Sequence, residues 1–543
     1  MTTARELSDE LLTVAFDADP VEATLRGVPG WDDRLPDPSA EAAADIARRA
    51  EDIARRARSG GDDDPVTRAV VAQQADAVAG RARAGLVEHT HAEGLNAPIP
   101  LLLTALPLVR PVDAQAARHY LTRLAAFPAY LDALARRQRD SPKRPVAHLV
   151  EAAAARLDRH LADPVDPLAD PLRATDLYDE CAALLTAEVR PAFERYRDFL
   201  RAEIAPRGRS EDEPGLCALE GGAEIYAQLV PLYTTTAHTP EELHRIGLDL
   251  IKALDREYEE IGARVFGPLP AREVRARLLA DPAMRWTSAE EMTALAKATI
   301  ERAERVAPDW FGTVPADGCE VRAVPEADAP NAPLAFYMDP ALDGSRPGVY
   351  YVNTFQATER DRFSAESTAF HEGVPGHHFQ ISLAQGRTDL PTLRRFASIE
   401  AYLEGWALYA ERLADEMGLY SDDVARLGML AGDSLRAARL VVDTGLHALG
   451  WTRQRAVDFL RDNAVMPDVD IHSEVDRYIE NPAQALSYMV GRLEIQRLRG
   501  DAERRLGDRF DIRAFHDLVI GGGPLPMAVL ADVVDRWVDH VGP

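Results

Sequence analysis

One eight-residue segment, His371 to His378, concentrates side chains that bind metals and activate water. It reads His-Glu-Gly-Val-Pro-Gly-His-His, and without the Pro-Gly pair it would match the His-Glu-x-x-His pattern of zinc hydrolases. In that pattern two histidines one helical turn apart bind zinc, and the glutamate activates the metal-bound water. The segment therefore predicts a metal site with His371 as a ligand and Glu372 as the base.

The Pro-Gly insertion requires a distorted helix, because a regular one would separate the histidines by about 9 Å or more along its axis. Pro375 lacks an N–H and clashes with the preceding turn, while Gly376 tolerates unusual dihedral angles. We expect a bulge that returns His377 to His371. His377 is the preferred ligand because it restores the order of the motif, and His378 is predicted to support the site or face the substrate. The alternative is a helix-breaking turn with surface histidines.

A third ligand is predicted in the next strongly helical segment, Ser398 to Glu411. Its glutamates Glu400, Glu404 and Glu411 recur at helical spacing and lie on one stripe. Glu404 has apolar and aromatic neighbours, and a carboxylate buried among them needs a charged partner. A metal would be that partner, with one coordination position left open for water. The alternative is a solvated acidic helix face.

Further motifs lie before and after these two segments. They are Tyr233-Thr-Thr-Thr, Thr239 to Gly247, Gly348 to Asn353, Asp443-Thr-Gly-Leu-His447, Arg477 to Tyr488, and Gly523 to Pro526. With the two segments above, they make residues 220–540 resemble the bacterial domain-of-unknown-function family number 885. Members are regarded as zinc-peptidase-like. The resemblance implies His371, His377 and Glu404 as the ligands of one Zn²⁺ per chain, with Glu372 as the base.

Two tyrosines near the C-terminal end of these motifs are candidates for stabilising an oxyanion, because hydroxyl donors aimed at that charge lower the barrier. They are Tyr478 and Tyr488, spaced similarly to a donor-and-tyrosine pair in angiotensin-converting and thimet-type peptidases. Tyr488 is preferred, and the alternative places both in the core. His447 is predicted to hold a substrate carboxylate or a metal ligand, and Arg477 and Arg439 are candidate carboxylate clamps.

Three strand-like segments precede the metal motif, at residues 320–324, 335–338 and 349–353. In zinc peptidases the edge strand of a small sheet pairs with an extended substrate. Tyr351 to Asn353 is predicted to be that edge, which makes Tyr351 and Asn353 substrate-binding residues. The alternative is a sheet that only supports the metal helix.

The remainder of the chain is dominated by helical periodicity, as in the Ala- and Arg-rich segment Glu41 to Arg58. The predicted fold is mostly α, a two-lobed helical metallopeptidase-like fold with a small antiparallel sheet beside the zinc helix. Residues 1–210 are predicted to form a helical N-terminal lobe that covers the cleft. Residues 211–543 form the catalytic lobe, and the Pro- and Gly-rich loop at 206–215 marks the boundary.

Composition excludes several classes of partner. The net charge of −27, from 62 basic and 89 acidic residues, disfavours nucleic acid and anionic membranes. The first residues contain acids where a signal peptide needs a basic region, and three widely spaced cysteines do not form a disulfide framework. We expect a cytoplasmic protein without nucleic-acid or membrane partners, and the sequence does not predict its oligomeric state.

Together these patterns predict a zinc-dependent hydrolase that cleaves peptide bonds of short peptides through a metal-activated water. Two alternatives remain. The same site would serve to hydrolyse a non-peptide amide or a modified metabolite, and a non-catalytic helical metal-binding protein would retain the ligands. The intact base Glu372 favours an enzyme.

Overall fold

The computed structural model describes residues 2–61, 63–94, 96–326, 329, 332–340 and 346–542. Helices hold 70% of the residues and strands 3%, which confirms the predicted mostly α class. Within the described ranges, no helix has both the length and the apolar character needed to cross a membrane.

The chain divides into two compact units. The first unit contains Met1–Leu232, Gly445–Ala456 and Ser473–Pro482. The second unit contains Tyr233–Thr444, Val457–His472 and Ala483–Pro543. The division predicted from sequence, with a lobe at 1–210 covering a cleft in 211–543, stays a prediction.

Helices in the first part of the chain begin at strong local signals. The side chain of Thr3 caps the first helix in a reciprocal capping box, and Pro65 occupies the first turn of the fourth. The Ala- and Arg-rich segment at 41–58 lies inside the third helix, as its periodicity predicts. These helices are α1 (Ala4–Ala18), α2 (Pro20–Leu25), α3 (Ala40–Ser59), α4 (Pro65–Ala84), α5 (Pro98–Ala105), α6 (Ala114–Ala125), α7 (Phe127–Asp140), α8 (Ala147–Ala162), α9 (Tyr178–Leu184), α10 (Arg190–Phe199) and α11 (Gly222–Thr234).

Helices in the second part of the chain carry His371, Glu372, His377 and Glu404. Thr239 forms a capping box with Glu242 at the start of the first of them. They are α12 (Pro240–Phe266), α13 (Ala271–Ala280), α14 (Ala289–Trp310), α15 (Ala365–Glu372), α16 (His377–Gly386), α17 (Thr392–Phe396), α18 (Glu400–Glu416), α19 (Asp423–His447), α20 (Arg453–Asn463), α21 (Asp468–Glu480), α22 (Ser487–Leu506), α23 (Ile512–Ile520) and α24 (Met527–Val541).

A three-stranded sheet of β1 (Glu320–Ala323), β2 (Ala335–Met338) and β3 (Val349–Val352) lies in the second unit. The order is β1-β3-β2, with β3 parallel to β1 and antiparallel to β2. The sheet is therefore mixed, and the predicted all-antiparallel arrangement is wrong.

The position of β3 also corrects the predicted edge of the sheet. Tyr351 of β3 lies opposite Arg322 on one side and Phe336 on the other. Because both sides of β3 are paired, Tyr351 to Asn353 is not the free edge, and that prediction is wrong. The edges of the described sheet are β1 and β2.

Helices α18 and α22 of the second unit meet through two glycines. A Cβ at Gly491 would stand 1.7 Å from the carbonyl oxygen of Ala401, and one at Gly405 would stand 2.5 Å from the backbone of Gly491. Only residues without a side chain permit this approach. The crossing brings the backbones of the two helices into direct contact.

Candidate metal centre

The metal motif lies on two helices rather than on one bulged helix. Helix α15 ends at Glu372 and α16 begins at His377, with a cis peptide bond between Val374 and Pro375 in the connection. The Pro-Gly insertion thus interrupts the helix completely, because Gly376 adopts non-helical dihedral angles of −80° and −127°.

Two close contacts hold this connection. A Cβ at Gly376 would stand 2.0 Å from the carbonyl oxygen of His371, so the start of α16 folds directly against the end of α15. The indole N–H of Trp406 on α18 donates to the carbonyl of Pro375 at 2.9 Å. The glycine and the indole therefore bring His371, His377 and α18 to one place.

The cluster consists of two imidazoles directed at one carboxylate oxygen. Nε2 of His371 lies 3.4 Å from Oε2 of Glu404, and Nε2 of His377 lies 3.6 Å from the same atom. One ligand-type atom from each of the three residues lies within 4.8 Å of the others. The structure thus brings together the three residues that the sequence nominates as ligands.

The two nitrogen–oxygen separations are close to those around a tetrahedral zinc ion. Two donors that are each about 2.0 to 2.1 Å from such an ion lie about 3.3 Å apart. Both nitrogen–oxygen distances in the cluster are within a few tenths of an ångström of that value. Two imidazoles and a carboxylate are also the donor set of many catalytic zinc sites.

Glu411, one of the three glutamates on the predicted stripe, fixes the orientation of His371. Its Oε1 lies 2.8 Å from Nδ1 of His371 and accepts that N–H. Because Glu411 holds Nδ1, Nε2 is the ring nitrogen that faces Glu404. Such a carboxylate behind a histidine sets the tautomer and raises its basicity as a metal ligand.

The side chains of the cluster shift one another's pKa values. Burial lowers the pKa of His371, but hydrogen bonds to Glu404 and Glu411 outweigh burial and raise the pKa to about 9. Burial raises the pKa of Glu404, but the two imidazoles outweigh it and hold this pKa well below its usual range. The cluster therefore favours an ionised carboxylate at Glu404.

Glu372 and His378 both contact the edge strand β2. The backbone N–H of Tyr337 donates to Oε2 of Glu372 at 2.9 Å. The hydroxyl of Tyr337 donates to Nδ1 of His378 at 3.0 Å, and Nε2 of His378 lies 3.2 Å from the carbonyl oxygen of Asp317. Burial lowers the pKa of His378 to about 4. Both nitrogens of His378 thus have partners outside the metal cluster.

Tyr488 lies in the first turn of α22, and two guanidinium groups lie over its ring. Its ring centroid is 4.7 Å from Cζ of Arg439 and 5.8 Å from Cζ of Arg436. One helical turn separates Tyr488 from Gly491, so both lie on the face of α22 that meets α18. This places Tyr488 on the side of α22 that faces the helix of Glu404.

Arg436 and Glu411 both lie close to Gly432. A Cβ at Gly432 would stand 2.9 Å from Oε2 of Glu411 and 3.3 Å from Nη1 of Arg436. The carboxylate that holds His371 and the guanidinium above Tyr488 therefore approach the same face of α19.

Three other candidates lie in the first unit. The Tyr478 hydroxyl donates to the carboxylate of Glu474, which also pairs with Arg477 at 3.2 Å. His447 accepts the N–H of Leu216 at 3.0 Å and donates from Nε2 to the carbonyl of Tyr478 at 2.9 Å. Burial lowers the pKa of His447 to about 4. In this unit His447 links backbone segments through both nitrogens.

The last two predicted substrate contacts lie at β3. The Tyr351 ring stacks on Phe336 at 5.1 Å between centroids. The buried Asn353 amide donates to the carbonyls of Ala329 and Ala332 and accepts the N–H of Phe355. Its hydrogen bonds therefore go to neighbouring loops.

Sequence reasoning assigned no role to Tyr337, Glu411 or Arg436. The spacing of Glu411 from Glu404, two helical turns, is a signal that places both on one face. Tyr337 carries no such signal, because its contact with Glu372 depends on how a strand lies against a helix.

A mostly helical fold with a His/His/Glu cluster places the chain among helical proteins with a candidate metal centre. The chain belongs to the family of bacterial proteins of unknown function DUF885, whose model matches residues 20–534. A solved structure described as a "putative lipoprotein" from Colwellia psychrerythraea is similar, with 26% sequence identity, a TM-score of 0.91, and coverage of 99% of this chain and 100% of that one.

A second solved structure, a "putative lipoprotein of unknown function" from Shewanella oneidensis, shares the fold. Its sequence identity is 17% and its TM-score 0.77, with 98% of this chain and 99% of that one covered. A search of curated proteins found no match.

Proposed function

We propose that this protein is a zinc-dependent hydrolase that cleaves peptide bonds of short peptides. One observation carries the proposal: two imidazoles converge on one oxygen of Glu404 at the spacing of tetrahedral ligands. Support comes from Glu411, which holds one imidazole in the tautomer that a metal ligand needs. His371, His377 and Glu404 would hold one Zn²⁺ per chain.

A zinc ion bound there would polarise the substrate carbonyl and lower the pKa of a coordinated water. Glu372 directly follows His371 and is the group that accepts the proton of the attacking water and passes it to the leaving amine. Its second carboxylate oxygen, Oε2, is held by the N–H of Tyr337. Tyr488 is proposed to donate its hydroxyl to the oxygen on which negative charge develops.

The edge strand β2 supplies a binding surface for an extended peptide. N–H and C=O groups of alternate residues point to opposite sides of a strand. Because the N–H of Tyr337 points to Glu372, the backbone groups of Ala335 lie on the same outer side. A substrate that pairs with this side by β-augmentation would run past the carboxylate of Glu372.

The experiment combines metal analysis with turnover. Purified protein should carry about one zinc per chain and cleave members of a short-peptide library. Glu372→Gln should keep the zinc and lower turnover by a factor on the order of 10³ or more, because the amide cannot accept a proton. The exposed Glu301 on α14 provides the control Glu301→Gln, which should leave turnover unchanged.

Each alternative gives its own result. The protein could bind zinc and hydrolyse other amides but no peptides, with the same dependence on Glu372. In that case only the proposed substrate class changes. Zinc binding without any Glu372-dependent turnover would make the protein a metal-binding protein. A chain that binds no zinc would contradict the proposal as a whole.

A further inference from the structure

Two polar groups of α16 are buried without a hydrogen-bond partner among the residues that the structure describes. Nδ1 of His377 is one, and the side-chain amide of Gln380 is the other, with neither its oxygen nor its nitrogen paired. Gln380 has no solvent exposure at all. The other proposed histidine ligand differs, because Nδ1 of His371 is held by Glu411.

The two groups lie one turn apart on the same helix. Side chains three residues apart on a helix share a face, with Cβ atoms about 5 to 6 Å apart. The helical backbone fixes this spacing, because the N–H of Gln380 donates to the carbonyl of Gly376 at 3.1 Å. The glutamine side chain has three torsion angles, and a change of rotamer would bring Oε1 to Nδ1 of His377.

Both groups gain from the same hydrogen bond. A buried amide without a partner costs more free energy than a typical hydrogen bond contributes. When Nε2 of His377 offers its lone pair to a metal, the neutral ring carries its proton on Nδ1. That N–H needs an acceptor, and Oε1 of Gln380 is an unpaired acceptor on the adjacent turn.

We propose that Gln380 is a positioning residue for the metal site: it accepts the Nδ1–H of His377 and thereby does for this ligand what Glu411 does for His371. The proposal rests on the zinc site proposed above. The two ligands would then have unlike supports, a carboxylate behind His371 and a neutral amide behind His377. The amide adds no second negative charge to the site.

The test measures zinc affinity apart from activity. Zinc dissociation constants come from competition with a chromogenic chelator, and the thermal midpoint is measured on metal-stripped protein. Gln380→Leu, which fills the same space without an acceptor, should weaken zinc binding about 10- to 100-fold. It should leave the metal-free midpoint unchanged or higher, because it removes an unpaired buried amide.

Two further variants complete the design. Gln380→Glu restores an acceptor and should bind zinc at least as tightly as the parent chain. Gln385→Leu, a nearly buried glutamine further along α16, makes the same chemical change away from His377 and should leave zinc affinity unchanged.

Several results would overturn the role of Gln380. They are a parent-like affinity in Gln380→Leu, an equal loss in Gln380→Glu, or a loss that is matched by a lower metal-free midpoint. If the parent chain binds no zinc, the proposed function fails and this inference fails with it. If the parent binds zinc and Gln380→Leu does not alter the affinity, only this inference fails.

Discussion

Each unit of this protein places a glutamate beside histidines, buried at Glu480 and partly buried at Glu404, but the groups that face the two carboxylates differ. In the first unit the carboxylate of Glu480 accepts the backbone N–H groups of His91, Ala92 and Glu93 at 2.7 to 2.8 Å. In the second unit the carboxylate of Glu404 faces two imidazole nitrogens. One glutamate ties backbone segments together, while the other draws ligand-type atoms to one point.

The protonation equilibria of these two glutamates shift in opposite directions. Burial raises the pKa of Glu480 to about 7, although three N–H groups oppose the shift. Burial also raises the pKa of Glu404, yet the imidazoles of His371 and His377 outweigh it and lower that pKa. Burial alone does not identify a functional carboxylate, and the chemistry of its partners separates the two cases.

The largest effect should come from removing one imidazole from each unit. We expect His371→Ala to weaken zinc binding by more than about 100-fold, since losing a ligand exceeds the effect of losing a group behind it. His447→Ala should leave zinc affinity unchanged and lower the free energy of unfolding by about 3 kcal/mol, because two backbone hydrogen bonds and a filled volume are lost. Chelator competition and denaturant titration measure the two quantities.

A loss of zinc affinity in His447→Ala would remove the distinction between the two regions. So would full zinc affinity in His371→Ala, which would also contradict the assigned ligand set.

The next effect concerns the close approach at Gly376. A Cβ there would stand 2.0 Å from the carbonyl oxygen of His371, so Gly376→Ala should lower the free energy of unfolding by about 3 kcal/mol or more and weaken zinc binding. Gly386 ends the same helix, and a Cβ there would meet nothing within 4 Å. Gly386→Ala should change stability by less than about 0.5 kcal/mol. Equal stability of the two variants would contradict the contact.

The first unit should show a pH dependence that originates at Glu480. Its folded pKa of about 7 lies above the ordinary value of 4.5, so the unfolded chain binds fewer protons between these values. Stability from this group is therefore present below about pH 4.5 and is lost as pH rises through 7, by about 3 kcal/mol at pH 7. Glu480→Gln should remove that part of the slope.

Denaturant titrations from pH 4.5 to 8 on parent and variant supply the comparison. The buried histidines are present in both proteins, so the difference between the two curves isolates Glu480. Parallel curves would show that the carboxyl does not titrate in this range.

The smallest effect should come from Glu411. Glu411→Gln keeps an oxygen that accepts the Nδ1–H of His371 but removes the charge, and we expect about a 10-fold loss of zinc affinity. Glu400→Gln on the same helix makes the same change next to Ser398 and Gln484, and should leave the affinity unchanged. A parent-like affinity in Glu411→Gln would mean that the charge behind His371 does not matter.

Sequence reasoning succeeded where the relevant geometry is local. Spacing alone placed Glu404 and Glu411 on one face of α18, and the mostly helical class follows from the same periodicity. The motif order nominated His371 and His377, and the structure brings them within reach of Glu404.

Long-range contacts account for the errors and omissions. The strand order β1-β3-β2 depends on how the three strands assemble, and no local pattern shows which strand lies at the edge. The interruption of the helix before His377 depends on a close backbone approach that a pattern of residue types does not reveal. The contact of Tyr337 with Glu372 likewise joins a strand to a helix end.

The glycine crossing of α18 and α22 has a mechanical consequence. Because backbone touches backbone at Gly405 and Gly491, the separation of the two helices is set by main-chain atoms and does not relax by a change of side-chain rotamer. Glu404 is bonded to Gly405, and Tyr488 lies one turn before Gly491. A thermal motion that shifts one of these helices as a whole therefore shifts the other with it, so Glu404 and Tyr488 move together.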